Sequence, residues 1–247
     1  MIKHIFYTTM TGRGLYEGFR GQDWYDYRLG IFKNYTLKSL IGQTDKDFTL
    51  WMSFRPQEID NPTTKKFEEA INDSGINYVL TFDGMIMYDD RSNRNIDLVE
   101  RTKKSLKLLE PITEEYIYET HFDSDDTVSN NFVEVVKSYP FKGRGALYMK
   151  DGYVYNTDGR IAKWHNPYSQ QNYTIMYPRD IYLDAEKRYE YQNGLHSHEE
   201  IPKKFNAEEL PKGMYCTVVH GKNISTVWDH PYRGKECDKE LTNLFFK

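Results

Sequence analysis

The sequence predicts an α/β protein: a mainly parallel, mixed sheet flanked by helices in its first half, and a β-rich, irregular second half. Two patterns and one quantity carry this expectation. Up to Asp126, short runs of β-branched and aromatic residues alternate with amphipathic helical stretches, the order of a parallel sheet with right-handed crossovers. After it, two Asp-Gly pairs, Asp151-Gly152 and Asp158-Gly159, punctuate short apolar runs and suggest a hairpin or meander. The chain has 247 residues, enough for one domain with a sizeable core.

The elements follow in order. "KHIFYTTM" reads as a first strand, leading into the Gly-containing loop "TGRGLYEGFRGQ". "WYDYRLGIFKNYTLKSLIGQT" places Trp24, Leu29, Phe32, Leu37 and Leu40 at roughly helical intervals, with Gly42 near the end. "DFTLWMSF" is a second strand. "NPTTKKFEEAINDSG" is a helix with Pro62 at its start and Gly75 just past its end. "INYVLTF" is a third strand, and "NIDLVERTKKSLKLLE" a helix with Ile96, Val99, Leu106 and Leu109 near one stripe. "EEYIYETHF" is a fourth strand that runs into three aspartates, followed by the helix "NNFVEVVKSY". Near the C-terminus, "MYCTVVHGKNIS" is a strand and a polar turn.

Net charge is -4, so no global positive field draws a phosphate backbone, and nucleic acid is not expected as a partner. The two cysteines, Cys216 and Cys237, stand in no metal-ligand spacing and suit a reducing, cytoplasmic setting. No stretch reaches the roughly 18 apolar residues of a spanning helix, and the opening residues have too short an apolar run for a signal peptide. The 21 tyrosines join flat apolar faces to polar tips, which suits sugar or base stacking as well as core packing.

The chemistry concentrates in "HFDSDD". Asp123, Asp125 and Asp126 would lie at the carboxyl end of the fourth strand, where open α/β sheets bind ligands. Carboxylates one residue apart can hold a hard divalent cation, and such cations bridge phosphates. The plain alternative is that some of these acids cap the next helix. A calcium loop would need glycine where Val128 stands. Asp-X-Asp-X-Thr/Val also resembles the haloacid-dehalogenase-like phosphatases, with Asp123 as nucleophile. That motif ends the first strand of its domain, whereas three strands precede it here, and no later Gly-Asp-X-X-X-Asp-like segment follows.

Several segments together resemble glycosyltransferases of the GT-A type, and among them the putative rhamnosyltransferase family. An Arg-X-X-X-Phe segment, Arg28 to Phe32, leads to a helix with Ser39-Leu40 and Gln43 and then to the strand Phe48 to Phe54. The acidic motif Arg-X-Asp-X-Asp-Asp is matched with His121 in place of arginine. A His-Gly-X-Asn-X-Ser ending is matched by His220, Gly221, Asn223 and Ser225. The resemblance implies a single GT-A (Rossmann-like) domain over 1–247, with 1–126 the nucleotide-sugar-binding half and 127–247 the acceptor side.

It further implies Mn²⁺ or Mg²⁺ as cofactor, held by Asp123, Asp125 and His220 against the diphosphate of a nucleotide-sugar donor. Asp123 would lie near the ribose or donor sugar, Asp125 would be the direct ligand and Asp126 would support them. The metal would neutralise charge on the departing diphosphate. Lys103 or Lys104, or Lys222 beside His220, would share that task. Thr8, Thr9, Arg13 and Asp83 are the positions for base and ribose contacts. An inverting enzyme needs a carboxylate to take the proton of its hydroxyl acceptor, carbohydrate or other. "GLHSHEEIP" offers Glu199 and Glu200 where inverting GT-A enzymes often carry that base, with Asp184 behind them and His196 and His198 as a surface pair. A carbohydrate-binding domain without turnover is the non-enzymatic alternative, against which the intact acid cluster speaks: packed carboxylates repel without a cation.

Overall fold

The computed structural model of the chain describes residues 1–10, 21–82, 95–109, 111–169, 171–192, 194–195, 197–223 and 226–246, with side chains except at 95–99 and 101. The first elements are β1 (Ile2–Thr9), α1 (Gln22–Ile31), α2 (Leu37–Ile41), β2 (Phe48–Ser53), α3 (Pro62–Asp73), β3 (Tyr78–Thr81), α4 (Asn95–Leu106) and β4 (Tyr116–His121). Then come β5 (Asp126–Val128), α5 (Phe132–Ser138), β6 (Gly145–Tyr148), β7 (Asp151–Asn156), β8 (Ile161–His165) and β9 (Tyr173–Pro178). The chain closes with α6 (Arg179–Tyr182), α7 (Ala185–Gln192), α8 (Ile201–Lys204), β10 (Asn206–Glu209), β11 (Tyr215–Val219) and β12 (Arg233–Glu236).

The central sheet has seven strands in the order β10-β6-β9-β4-β1-β2-β3. β4, β1, β2 and β3 are mutually parallel, β9 runs antiparallel to β4 and β6, and β10 is parallel to β6. This is the mainly parallel, mixed sheet flanked by helices that the sequence predicts. Alternation along β1 shows why it is buried on both faces: Phe6 enters one apolar cluster with Phe48, Leu50 and Phe132, while Ile5 and Tyr7 enter the other with Trp51, Ile117 and Ile175. A second sheet of five strands, β12-β8-β7-β11-β5, shares no strand with the first but packs into the same apolar cluster through Val128, Val154 and Trp164.

Helix signals read from sequence act as expected. Asn61 accepts a hydrogen bond from the Thr63 amide at 2.8 Å, Pro62 opens α3, and Gly75 takes φ +73° beyond it. The long helical stretch at 22–41 is one helix in two α pieces, joined by a π-helical segment at Phe32–Thr36. The Asp158-Gly159 pair makes the expected turn between β7 and β8, with Gly159 at φ +99°. Asp151-Gly152 does not turn: both residues lie inside β7. Gly152 is there for close approach, since a Cβ would come within 2.5 Å of the Tyr215 ring on β11.

The central sheet is built from chain on both sides of residue 126. β6, β9 and β10 all follow residue 126 and complete the central sheet. The chain leaves that sheet after His121 and enters the second sheet at Asp126, so the acid segment is the passage between them.

Candidate functional site

β4 runs one residue past its ladder, where the Phe122 amide donates to the Tyr7 carbonyl at 2.9 Å. Asp123, Ser124 and Asp125 then turn over the carboxyl ends of β1 and β4. The Asp126 amide closes the turn on the Asp123 carbonyl at 3.1 Å, and β5 pairs antiparallel with β11. β11, the partner of β5, delivers His220 one residue beyond its end, on the same side as the acids.

The helix from 22 to 41 meets this turn along one face. Arg28 Nε and Nη2 donate to Ser124 Oγ at 3.2 and 2.9 Å, and Thr36 donates to the Ser124 carbonyl at 3.0 Å. Gln43 donates to the Ser129 carbonyl at 2.8 Å and accepts from the Val133 amide at 3.1 Å. Ser39 donates to the Thr36 carbonyl at 2.9 Å. A π-helical segment, Phe32–Thr36, lies between Arg28 and Ser39, a feature frequent at functional sites.

Asp125 Oδ2 is the focus. Arg28 Nη1 donates to it at 2.5 Å, His220 Nε2 stands 3.0 Å away, and Asn223 Nδ2 donates at 3.4 Å. Burial raises the Asp125 carboxyl, but the Arg28 guanidinium and the His220 imidazole outweigh it and hold the group below the ordinary carboxylate range. Asp126 is pushed the other way, well up, by burial and then by the charges of Asp125 and Asp123. Its oxygens accept from Asn172 Nδ2 at 3.1 Å, from the Thr217 hydroxyl at 3.4 Å and from the Val218 amide at 3.4 Å. Asp126 therefore joins the two sheets, while Asn172 also accepts from the Asp123 amide at 3.0 Å.

His220 is fixed on three sides. Its amide donates to Asn223 Oδ1 at 2.8 Å, its carbonyl accepts from the Tyr27 hydroxyl, and its ring lies 5.6 Å from that of Tyr27. The turn needs Gly221, which takes φ +78°. Lys222 places its ammonium 4.4 Å over the Tyr27 ring, at the rim of the same site.

The expected metal set is only partly assembled. Asp125 and His220 meet, but the oxygen they share also carries the Arg28 guanidinium, whose Nη1 is 3.2 Å from His220 Nε2. Among the described residues no group of three or more His, Cys, Asp or Glu side chains stands ready to hold a metal ion. Two ligands beside a fixed positive charge do not fit a divalent cation.

Other expected residues are spread more widely. Thr8 is fully buried at the end of β1, and its hydroxyl has no partner among the described residues; Thr9 pairs with Ser53 of β2. Arg13, Asp83 and His196 lie outside the described residues. Lys104 is exposed, and Lys103 pairs with Glu100 and Glu186 at 3.0 and 3.3 Å. Both sit in the last turn of α4, which leads to the amino end of β4, away from the acids.

Asp184 is likewise at the wrong end. β9 reaches the amino end of β4, where Pro178 faces Tyr116, before α6 begins. Asp184 caps α7 there, accepting from the Glu186 and Lys187 amides at 3.1 Å each. Glu199 and Glu200 lie on a short 3-10 turn before α8. Neighbouring His198 bonds the Ser169 carbonyl through Nδ1 at 2.7 Å, three residues before Asn172, so this turn belongs to the acid side. Glu200 pairs with Lys204 at 3.2 Å, whereas Glu199 is exposed and its carboxylate has no partner among the described residues.

Comparison with known proteins adds three findings. No curated protein matches the sequence. Among solved structures, that of the inositol-1-phosphate CTP transferase from T. maritima aligns with 13% identity over 87% of this chain and 84% of that one, at a TM-score of 0.35. The sequence profile of the family described as "Putative rhamnosyl transferase" matches residues 16–229, a span that takes in Arg28, the acid turn and His220. Since that span covers most of the chain and holds the whole convergence of side chains on Asp125, the protein belongs to the "Putative rhamnosyl transferase" family.

Proposed function

We propose that the protein is a glycosyltransferase that moves a sugar from a nucleotide-diphosphate donor to a hydroxyl acceptor, and that it works in the cytoplasm. The observation that carries this reading is the acid turn at the carboxyl ends of β1 and β4, with Arg28, His220 and Lys222 gathered on it. Nucleotide ligands of open α/β sheets bind at such an end. Thr8 and Thr9 end β1 beside the turn and are offered for the base and ribose, with Asp123 for the ribose or sugar. Arg13 and Asp83 belong to the same proposal by their place in the sequence.

Transfer requires charge to be neutralised on the departing diphosphate and a proton to be taken from the acceptor. Lys222 at the rim can serve the first need. For the second, Glu199 is the better of the two candidate carboxylates, because Glu200 is already paired with Lys204. The Mn²⁺ or Mg²⁺ implied by the resemblance enters no step here, since Arg28 stands on the oxygen such an ion would need.

The phosphatase alternative loses support at Asp125. That chemistry asks Asp125 to donate and accept protons, yet Arg28 and His220 pin it and keep it ionised. A panel of nucleoside diphosphates and nucleotide sugars tests the choice by thermal shift. One binding partner at a hundredfold excess over its dissociation constant stabilises the fold by about 2.7 kcal/mol. Stabilisation by one nucleotide series, with release of its diphosphate from the sugar donor, is expected. Indifference to every nucleotide, together with a phosphoaspartate at Asp123, would establish the phosphatase instead.

A further inference from the structure

We propose that Arg28 is the resident cation of this site: its guanidinium binds the donor's diphosphate and does the charge-neutralising work, so donor binding needs no divalent ion. The inference rests on the glycosyltransferase reading above. The side chain is held as a fixed group rather than a solvated one. It is 11% exposed, its Nε and Nη2 bond Ser124 Oγ, and its Nη1 bonds Asp125. The Trp24 ring lies 5.8 Å from its Cζ.

Counting donors shows what remains. A guanidinium carries five N–H groups in a fixed plane. Ser124 takes one from Nε and one from Nη2, Asp125 takes one from Nη1, and the other Nη1 hydrogen faces His220 Nε2 at 3.2 Å. The second Nη2 hydrogen has no partner among the described residues. That one charged N–H is suited to a phosphate oxygen, and Asp125 and Ser124 fix its orientation before the ligand arrives.

Charge balance points the same way. The Asp125 carboxylate and the Arg28 guanidinium form an ion pair at 2.5 Å, one charge of each sign. A divalent ion bound to that same oxygen would have to displace Arg28, leaving a cation buried beside a second cation. The guanidinium instead presents its free N–H to an incoming diphosphate while Asp125 keeps it in place. Lys222, 4.4 Å over the Tyr27 ring at the rim, is a second positive charge for the same anion. Arg28 thus replaces the metal ion rather than assisting it.

Binding of UDP, GDP, CDP and dTDP by calorimetry, each with EDTA and with Mn²⁺, tests this on wild type, Arg28→Lys, Arg28→Ala and the double variant Arg28→Ala/Asp125→Asn. The double variant removes both charges, so it keeps the test open where Arg28→Ala fails to fold around an uncompensated Asp125. One nucleoside diphosphate is expected to bind wild type equally well in EDTA and in Mn²⁺. Its affinity should fall roughly ten- to hundredfold in Arg28→Ala or the double variant, the size of a lost charge-assisted hydrogen bond. Arg28→Lys should recover part of that loss, and the parent nucleoside should bind all variants alike. Mn²⁺ alone, followed by its paramagnetic resonance, should bind Arg28→Ala at the freed Asp125–His220 pair and not wild type. Diphosphate binding that requires Mn²⁺ and ignores Arg28 would overturn the inference and leave the glycosyltransferase reading standing. Absence of binding by every nucleoside diphosphate, with and without Mn²⁺, would overturn both.

Discussion

Glu119 lies in the middle of β4 with its side chain fully buried, and Arg188 of α7 reaches it with Nη2 at 2.7 and 2.8 Å from the two carboxylate oxygens. The Tyr182 hydroxyl donates to the same carboxylate at 2.6 Å, and the Tyr182 ring lies 4.4 Å from the Arg188 carbon. Breaking such a pair leaves one charge buried alone. Glu119→Ala should therefore cost about 3–5 kcal/mol in urea unfolding, with Glu119→Ala/Arg188→Met regaining much of it. Arg188 and Arg28 carry the same side chain in different roles. One is enclosed by aromatic rings on the helical layer, and the other faces the carboxyl ends of β1 and β4. The sequence marked Arg28 through the Arg-X-X-X-Phe segment but assigned it no task. Asn172 carried no local signal at all, because its bonds to Asp123 and Asp126 span about fifty residues of chain.

At the scale of elements, periodicity read the strands and helices well where local chemistry governs. Pro62 and Gly75 bound α3 because a missing N–H and a positive φ are properties of single residues. It misread Asp151-Gly152 because the same dipeptide serves a turn or a crowded strand, and only the neighbour decides. That neighbour is the Tyr215 ring. Gly152→Ala should cost about 1–3 kcal/mol from overpacking against β11, read as a lowered thermal midpoint, with Tyr215→Leu in the same chain reducing the penalty. The π-helical segment was equally invisible, since one inserted residue leaves the apolar pattern from Trp24 to Leu40 helical.

The whole molecule adds a term through His4, fully buried in β1. Its Nε2 lies 2.7 Å from the Thr120 hydroxyl, which meets the Thr174 hydroxyl at 2.7 Å across β4 and β9. Burial, with Lys137 adding to it, lowers the His4 pKa from 6.5 to about 3. The folded chain thus refuses a proton that the unfolded chain takes up below pH 6.5. Its contribution to stability is complete above that pH and is lost as pH falls toward about 3, at up to about 1.4 kcal/mol per pH unit. His4→Gln should flatten the stability-against-pH curve by one proton in that window and leave the slope above pH 7 unchanged.

By itself the sequence determined the strand–helix order of the first half, the position of the acid turn and the Arg-X-X-X-Phe and His-Gly-X-Asn segments. Each rests on residues close in the chain, where spacing fixes geometry. Tertiary structure alone decided that Arg28, Asp125 and His220 share one oxygen, that Asp126 joins two sheets, and that Asp184 and Lys104 face the far end of the sheet. Those placements depend on which strands pair and in which direction they run. Spacing along the chain carries no record of that, and the charge balance of the site follows from it.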